Sequence, residues 1–162
     1  MVETTRIELL VNGERLTADV EPRWSLADVL RHQLGLLGTH VGCEQGVCGA
    51  CTVLLNGEPA RSCLIFAVAV ADGVAITTIE GMNRAEGMTP LQTALREHHG
   101  LQCGFCTPGM VLTAHALLTR EPEADEGRIR EALSGNLCRC TGYQFIVDAV
   151  AAARPAYRKE EP

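Results

Sequence analysis

Four cysteines in one short glycine-rich segment constrain this chain more than any other feature of its sequence. Cys43, Cys48, Cys51 and Cys63 follow the spacing C-x4-C-x2-C-x11-C. Three thiolates on one tight loop can wrap a small rhomb of iron and sulfide, and a later fourth thiolate can close its far side. This spacing favours a [2Fe–2S] cluster. Zinc and disulfides are the alternatives, although zinc sites usually combine paired short motifs and only Cys48 and Cys51 have such a spacing.

Length, charge and cysteine content restrict the class of protein. The 162 residues suffice for one ordinary domain or two small ones, and 46% are hydrophobic. The net charge of −6, without a cluster of Lys or Arg, argues against a nucleic-acid partner. No apolar run approaches the roughly 18 residues of a spanning helix, so we expect no membrane insertion. Eight cysteines behind an N-terminus unlike a secretory leader indicate a reducing, cytoplasmic location where thiols bind metal.

Two Asn-Gly pairs predict tight turns in the first half of the chain. The pair at 12–13 lies between apolar-rich runs within residues 6–20, and the pair at 56–57 follows the cysteine segment. Asn-Gly is the preferred sequence of a type I′ turn, so each pair predicts a β-hairpin. The second hairpin would return Cys63 to the side of the cysteine loop.

One helix and one further strand complete this half. Ser25 is a candidate N-cap for a helix over residues 26–34. The apolar run 64–70 fits a helix or a strand equally well. Residues 74–79 are predicted to form the last strand. Strands around one helix, with a metal loop between them, predict a small α+β ferredoxin-like unit of about 80 residues.

The second half is predicted to be helical. Thr89, Pro90 and Gln92 form a capping-box sequence with proline at the first helical position. A connection without periodicity at 81–88 precedes this start. Four helices are predicted, over residues 90–97, 107–119, 125–133 and 142–153, and they indicate a compact bundle.

The remaining cysteines lie at two joints between these predicted helices. Cys103, Cys106, Cys138 and Cys140 have the spacing C-x2-C-x31-C-x-C, and each pair precedes a predicted helix start. A helix N-terminus favours anions, so two such ends would suit an anionic cluster. Cysteines one residue apart are poor disulfide partners. A single zinc ion remains an alternative, whereas a Rieske centre would need histidine ligands that neither pair carries.

Three segments together resemble a known family. They are GTHVGCEQGVCGACTVLLNG at 38–57, LQCGFCTPGM at 101–110 and LSGNLCRCTGYQFI at 133–146. The chain resembles the small iron–sulfur subunit of the molybdenum hydroxylases, the xanthine dehydrogenase, aldehyde oxidase and carbon monoxide dehydrogenase family. The resemblance implies an α+β protein with a plant-type ferredoxin-like β-grasp domain followed by a C-terminal four-helix bundle. We expect domains at 1–80 and 89–155, a connection at 81–88 and a tail at 156–162.

The resemblance also implies roles for particular residues. Cys43, Cys48, Cys51 and Cys63 would ligate the [2Fe–2S] cluster nearer FAD. Cys103, Cys106, Cys138 and Cys140 would ligate the cluster nearer molybdopterin. Gln102 matches a glutamine that hydrogen-bonds the pterin, and Cys140 matches the ligand closest to it. A solvated glutamine at a helix end is the alternative for Gln102.

Cofactors and partners follow from the same resemblance. Molybdopterin, in its cytosine dinucleotide form, would be carried by a large subunit and FAD by a medium subunit, in a dimer of heterotrimers. The expected function is electron relay between these two centres, in an oxidoreductase subunit without catalytic residues of its own. The alternatives are a free-standing electron carrier and a zinc-stabilised interaction module. The few charges around 101–118 predict an apolar surface, which favours a permanent interface over a free carrier.

Overall fold

The computed structural model describes residues 3–70, 73–82 and 87–158, which fold as a mixed sheet followed by helices. The strands are Thr5–Val11 (β1), Glu14–Val20 (β2), Thr52–Leu55 (β3), Glu58–Arg61 (β4) and Ala75–Thr77 (β5). The α-helices are Leu26–Asp28 (α1), Pro90–Glu97 (α2), Thr107–Arg120 (α3), Glu126–Leu133 (α4) and Gln144–Ala153 (α5). The predicted α+β class is therefore confirmed. Below, residues 3–82 are called the sheet half and residues 87–158 the helical half.

The strands form one five-stranded sheet in the order β2-β1-β5-β3-β4. Both hairpins turn at the predicted Asn-Gly pairs, where Asn12 and Asn56 have φ of 52° and 50° and their glycines φ of 86°. These left-handed values are those of a type I′ turn, so both hairpin predictions are confirmed. β5 joins the hairpins by pairing parallel to β1 and antiparallel to β3. The turn sequences did not predict this long-range pairing.

Three predicted elements of the sheet half differ in detail. The helix predicted over 26–34 begins as predicted with an N-cap at Ser25, but Val29–Gln33 is a π-helix. The run 64–70 is neither a helix nor a strand: the 3₁₀ turns Ser62–Leu64 and Ala67–Ala69 cross it. The last strand is shorter than the predicted 74–79 because a 3₁₀ turn, Ile79–Met82, follows it.

The four helices of the helical half are confirmed, with one boundary corrected. The capping box at Thr89 and Gln92 is present at the start of α2. α5 begins at Gln144 and not at Gly142, because Gly142 and Tyr143 have φ of 68° and 71°, which a helix does not accept. Within the predicted connection, residues 83–86 lie outside the described residues, and so do residues 159–162 of the predicted tail.

Each half has its own apolar core, and a third cluster joins them. Leu54 of β3 packs with Leu112 and Ala116 of α3 and with Met82. α3 therefore contributes to the helical core on one side and covers the sheet on the other. Because Cys51 directly precedes β3 and Cys106 directly precedes α3, the packing of α3 on β3 constrains the positions of these two cysteines. In the part of the chain that the structure describes, no helix is both long enough and apolar enough to cross a bilayer.

Candidate metal centres

The first cysteine set comprises Cys43, Cys48, Cys51 and Cys63. Three of its members lie on the loop that precedes β3, and Cys63 lies in the 3₁₀ turn that follows β4. The neighbouring Ser62 is fully buried, and its hydroxyl donates to the carbonyl of Cys51 at 2.7 Å. The hairpin thus returns the fourth cysteine to the loop, although β4 itself ends two residues earlier, at Arg61.

Backbone N–H groups and neighbouring thiols set the electrostatics of the first cysteine set. The N–H of Cys48 donates to Sγ of Cys43 at 3.4 Å, and this bond, with another from Gln45, lowers the pKa of Cys43 to about 7. Burial raises the pKa of Cys63 to about 11, and the nearby thiols of Cys51 and Cys43 add to the rise. Burial also raises the pKa of Cys48. The four thiols therefore lie close enough to influence one another's charge.

The second cysteine set comprises Cys103, Cys106, Cys138 and Cys140. Cys106 is the N-cap residue of α3, and Sγ of Cys140 lies 3.5 Å from Sγ of Cys103. Burial raises the pKa of Cys106 to about 12, and the Cys138 thiol adds to the rise. The two joints between helices are thus brought together. Because α5 begins at Gln144, only the first pair directly precedes a helix, which corrects the sequence-based expectation.

Cys138 receives hydrogen bonds that favour its thiolate. Burial alone would raise its pKa, but the Thr141 hydroxyl, 3.2 Å from Sγ, and the N–H of Cys140 outweigh burial and leave the pKa below its usual value. The N–H of Cys138 donates to the Tyr143 hydroxyl at 2.8 Å. Hydrogen bonds that orient a ligand and favour its anion are typical of the surroundings of metal ligands.

The donor chemistry of both sets fits an iron–sulfur cluster. All eight cysteines are free thiols. The Sγ atoms of Cys103 and Cys140 lie 3.5 Å apart, well above the S–S bond length of about 2.05 Å in a disulfide. Four thiolates are the ligand set of a [2Fe–2S] cluster, and N–H donors to sulfur compensate its negative charge.

Gln102 and the outer members of the second cysteine set are at the surface. Gln102, Cys103 and Cys140 are all exposed. The expected apolar surface at 101–118 requires correction, because most of α3 is buried inside this chain. The exposed large apolar residues around the second cysteine set are instead Leu101, Phe105, Leu137 and Phe145.

Two contacts between the cysteine sets were not predicted from the sequence. The His40 ring nitrogen lies 2.8 Å from the carbonyl oxygen of Phe105, and the two rings stack at 4.8 Å between centroids. Asn136 is buried and donates to the carbonyl of Gly49 at 3.0 Å. Neither contact has a local sequence signature, because each joins residues more than 60 positions apart.

The comparisons with known proteins agree with this geometry. Residues 9–74 match a family described as "2Fe-2S iron-sulfur cluster binding domain", and residues 78–151 match one described as "[2Fe-2S] binding domain". The fold and these two matches define an iron–sulfur protein with two [2Fe–2S] binding domains.

Relatives that match nearly the full length of this chain show more closely which kind of iron–sulfur protein it is. The caffeine dehydrogenase subunit gamma of Pseudomonas sp. strain CBB1 is 52% identical, with 92% of this chain and 90% of the relative covered. The nicotine 6-hydroxylase small subunit of Paenarthrobacter nicotinovorans is 50% identical, with 93% of this chain and 90% of the relative covered. The structure of quinoline 2-oxidoreductase from Pseudomonas putida 86 superposes with a TM-score of 0.92 at 50% identity, covering 95% of this chain and 96% of that chain.

The chain belongs to the family of small iron–sulfur subunits of the molybdenum hydroxylases. It is accordingly one subunit of an oxidoreductase.

Proposed function

We propose that this chain relays electrons between a molybdopterin centre and FAD that are carried by partner subunits. Cys43, Cys48, Cys51 and Cys63 would hold one [2Fe–2S] cluster, and Cys103, Cys106, Cys138 and Cys140 a second. When bound, each cluster supplies a one-electron redox centre. The proposal is supported by the matches of residues 9–74 and 78–151 to two [2Fe–2S] binding families and by the 3.5 Å between the sulfurs of Cys103 and Cys140.

The exposure of Gln102 and Cys140 supports the proposal that the second cysteine set lies next to the molybdopterin. Gln102 and Cys140 are both at the surface, so a molybdopterin cytosine dinucleotide held by a large subunit could contact them. An amide side chain offers both a donor and an acceptor to a pterin edge. The first cysteine set would then deliver electrons to FAD on a medium subunit. The same proposal places the complex in the cytoplasm as a dimer of heterotrimers. Within this chain, the proposed domains are residues 1–80 and 89–155.

This chain's own residues would tune the two centres. The N–H of Cys48 and the hydroxyl of Thr141 donate to cysteine sulfurs, one in each set. Such bonds stabilise negative charge on sulfur and, with burial, are the means by which a protein adjusts the potential of a cluster.

The exposed apolar residues favour a permanent subunit over a free-standing carrier. Leu101, Phe105, Leu137 and Phe145 are exposed and lie close in sequence to the second cysteine set, and Val47, Leu64 and Phe66 are exposed and lie close in sequence to the first. A carrier that is free in solution would leave these side chains in water, whereas permanent complexes bury such surfaces.

A matched pair of ligand variants tests the relay. In the purified holoenzyme, Cys48→Ser should remove the iron of the first set only, and Cys103→Ser that of the second set only. Both should abolish reduction of FAD by substrate while each keeps the other centre's EPR signal. Full turnover of Cys48→Ser with an acceptor reduced at the flavin would contradict the proposed order of centres.

A further inference from the structure

The two cysteine sets are joined by a direct backbone contact. The N–H of Leu137 donates to the carbonyl of Cys48 at 2.8 Å. Leu137 is covalently bonded to Cys138, so a single hydrogen bond connects a member of the first set to a member of the second.

Two glycines allow the backbones to approach at this contact. A Cβ atom on Gly49 would lie 2.4 Å from the carbonyl oxygen of Gly135, and one on Gly109 would lie 2.4 Å from the carbonyl oxygen of Gly49. Gly49 follows Cys48 directly, and Gly109 lies in the first turn of α3 after Cys106. A side chain at either position would clash with these carbonyl oxygens, so glycine is required for the loops of the two cysteine sets to come this close.

Asn136 lies at the centre of this contact. It is only 1% exposed. Its Nδ2 donates to the carbonyl of Gly49 at 3.0 Å and lies 3.2 Å from Oγ1 of Thr52. Its Oδ1 accepts from the hydroxyl of Thr113, on α3, at 3.1 Å. One amide therefore connects the loop of the first set, α3 and the segment that leads into Cys138.

Arg61 contributes two further hydrogen bonds to this contact, from the end of β4. Its Nη1 donates to Oγ1 of Thr52 at 2.7 Å and its Nη2 donates to the carbonyl of Gly135 at 2.6 Å. The guanidinium thus joins β3 to the residue that precedes Asn136. Because buried hydrogen bonds are directional and costly to leave unmade, this network resists sliding of one loop over the other.

We propose that Asn136 is a positioning residue that holds the two cysteine sets at the separation needed for electron transfer between them. The inference rests on the proposed function, since it assumes a cluster in each set. Asn136 is not itself a ligand. Its role is to fix the bond between the Leu137 N–H and the Cys48 carbonyl by holding Gly49 against the segment before Cys138.

The test compares Asn136→Ala with the wild-type holoenzyme. Iron and sulfide content are measured first. The magnetic interaction between the two reduced centres is then read from low-temperature EPR, and transfer between them from rapid freeze-quench kinetics. The variant should keep its iron, show a weakened magnetic interaction and transfer electrons about 10-fold more slowly, at the lower end of the roughly 10- to 100-fold losses of metal affinity or activity that follow replacement of residues that orient metal ligands.

Leu91→Ala provides the control for a merely structural effect. Leu91 is fully buried in the core of the helical half and belongs to neither the Asn136 network nor the cysteine sets. It should lower the unfolding temperature at least as much as Asn136→Ala while leaving the magnetic interaction and the transfer rate at wild-type values. An iron-loaded Asn136→Ala protein with wild-type interaction and rate would overturn the inference.

Two further outcomes are distinguishable. If Asn136→Ala does not accumulate with iron, Arg61→Met removes the other support of the same contact and should also weaken the magnetic interaction; an unchanged interaction in Arg61→Met would then overturn the inference. If the wild-type holoenzyme itself lacks two centres or passes no electrons between them, the proposed function fails and the inference fails with it.

Discussion

Leu112 offers a quantitative test of the shared core between the two halves. It lies on α3, is 1% exposed and packs with Leu54, Met82 and Ala116. Leu112→Ala removes three buried carbons and leaves a cavity between α3 and β3. Buried Leu→Ala substitutions cost roughly 3–5 kcal/mol, of which the cavity accounts for a large part. We expect a loss of about 3 kcal/mol, because Met82 is flexible enough to fill part of the space.

The assay is thermal unfolding of the iron-loaded holoenzyme and of the isolated subunit at one fixed scan rate, followed by circular dichroism and by visible absorbance. For a chain of this size each kcal/mol lowers the unfolding temperature by about 2–4 °C. Leu112→Ala should therefore unfold roughly 6–12 °C below the wild-type protein, with both probes moving together.

Leu64→Ala is the matched control, since Leu64 is 60% exposed. In the isolated subunit this variant should stay within about 0.5 kcal/mol of wild type. If Leu112→Ala unfolds no lower than Leu64→Ala, or if only one of two separate transitions moves, the halves do not share a core and the reasoning is refuted.

Two further predictions concern Gln102 and the reactivity of the cysteines. Gln102→Ala should leave the iron content unchanged but weaken retention of the molybdopterin-bearing subunit during size-exclusion chromatography; unchanged retention and activity would remove the proposed pterin contact. In the metal-free chain, iodoacetamide should alkylate Cys43 fastest. The rate should rise as the pH passes about 7, because the lowered pKa of Cys43 means that its reactive thiolate forms at that pH. Cys106, with a pKa of about 12, should react slowest, and mass spectrometry of the labelled peptides reads the order.

Local sequence chemistry predicted the elements whose geometry is decided locally. The Asn-Gly turns need only residues that accept positive φ, and the capping box at Thr89 needs only Gln92 three residues later. The spacing of the cysteines indicated both sets as candidate metal ligands, and the family resemblance assigned each set to one [2Fe–2S] cluster; these ligand assignments stay predictions. The start of α5 was predicted two residues early, because nothing in the sequence indicates that Tyr143 takes a left-handed conformation.

Contacts between distant segments could not be predicted in this way. The parallel pairing of β5 with β1 depends on the whole sheet. Asn136 lies inside a segment used for the resemblance, yet its bond to Gly49 spans 87 positions and follows only from the packing of α3 on β3. The apolar residues of 101–118 were expected at the surface, but a helix buried on several sides has the same composition as an interface helix.

Iron and acid-labile sulfide content, measured together with low-temperature EPR of the dithionite-reduced native complex, tests the central claim most directly. The two ligand sets predict about four iron and four sulfide per chain and two distinct S = 1/2 signals. Zinc in place of iron, with no EPR signal, would contradict the relay and leave a zinc-stabilised interaction module.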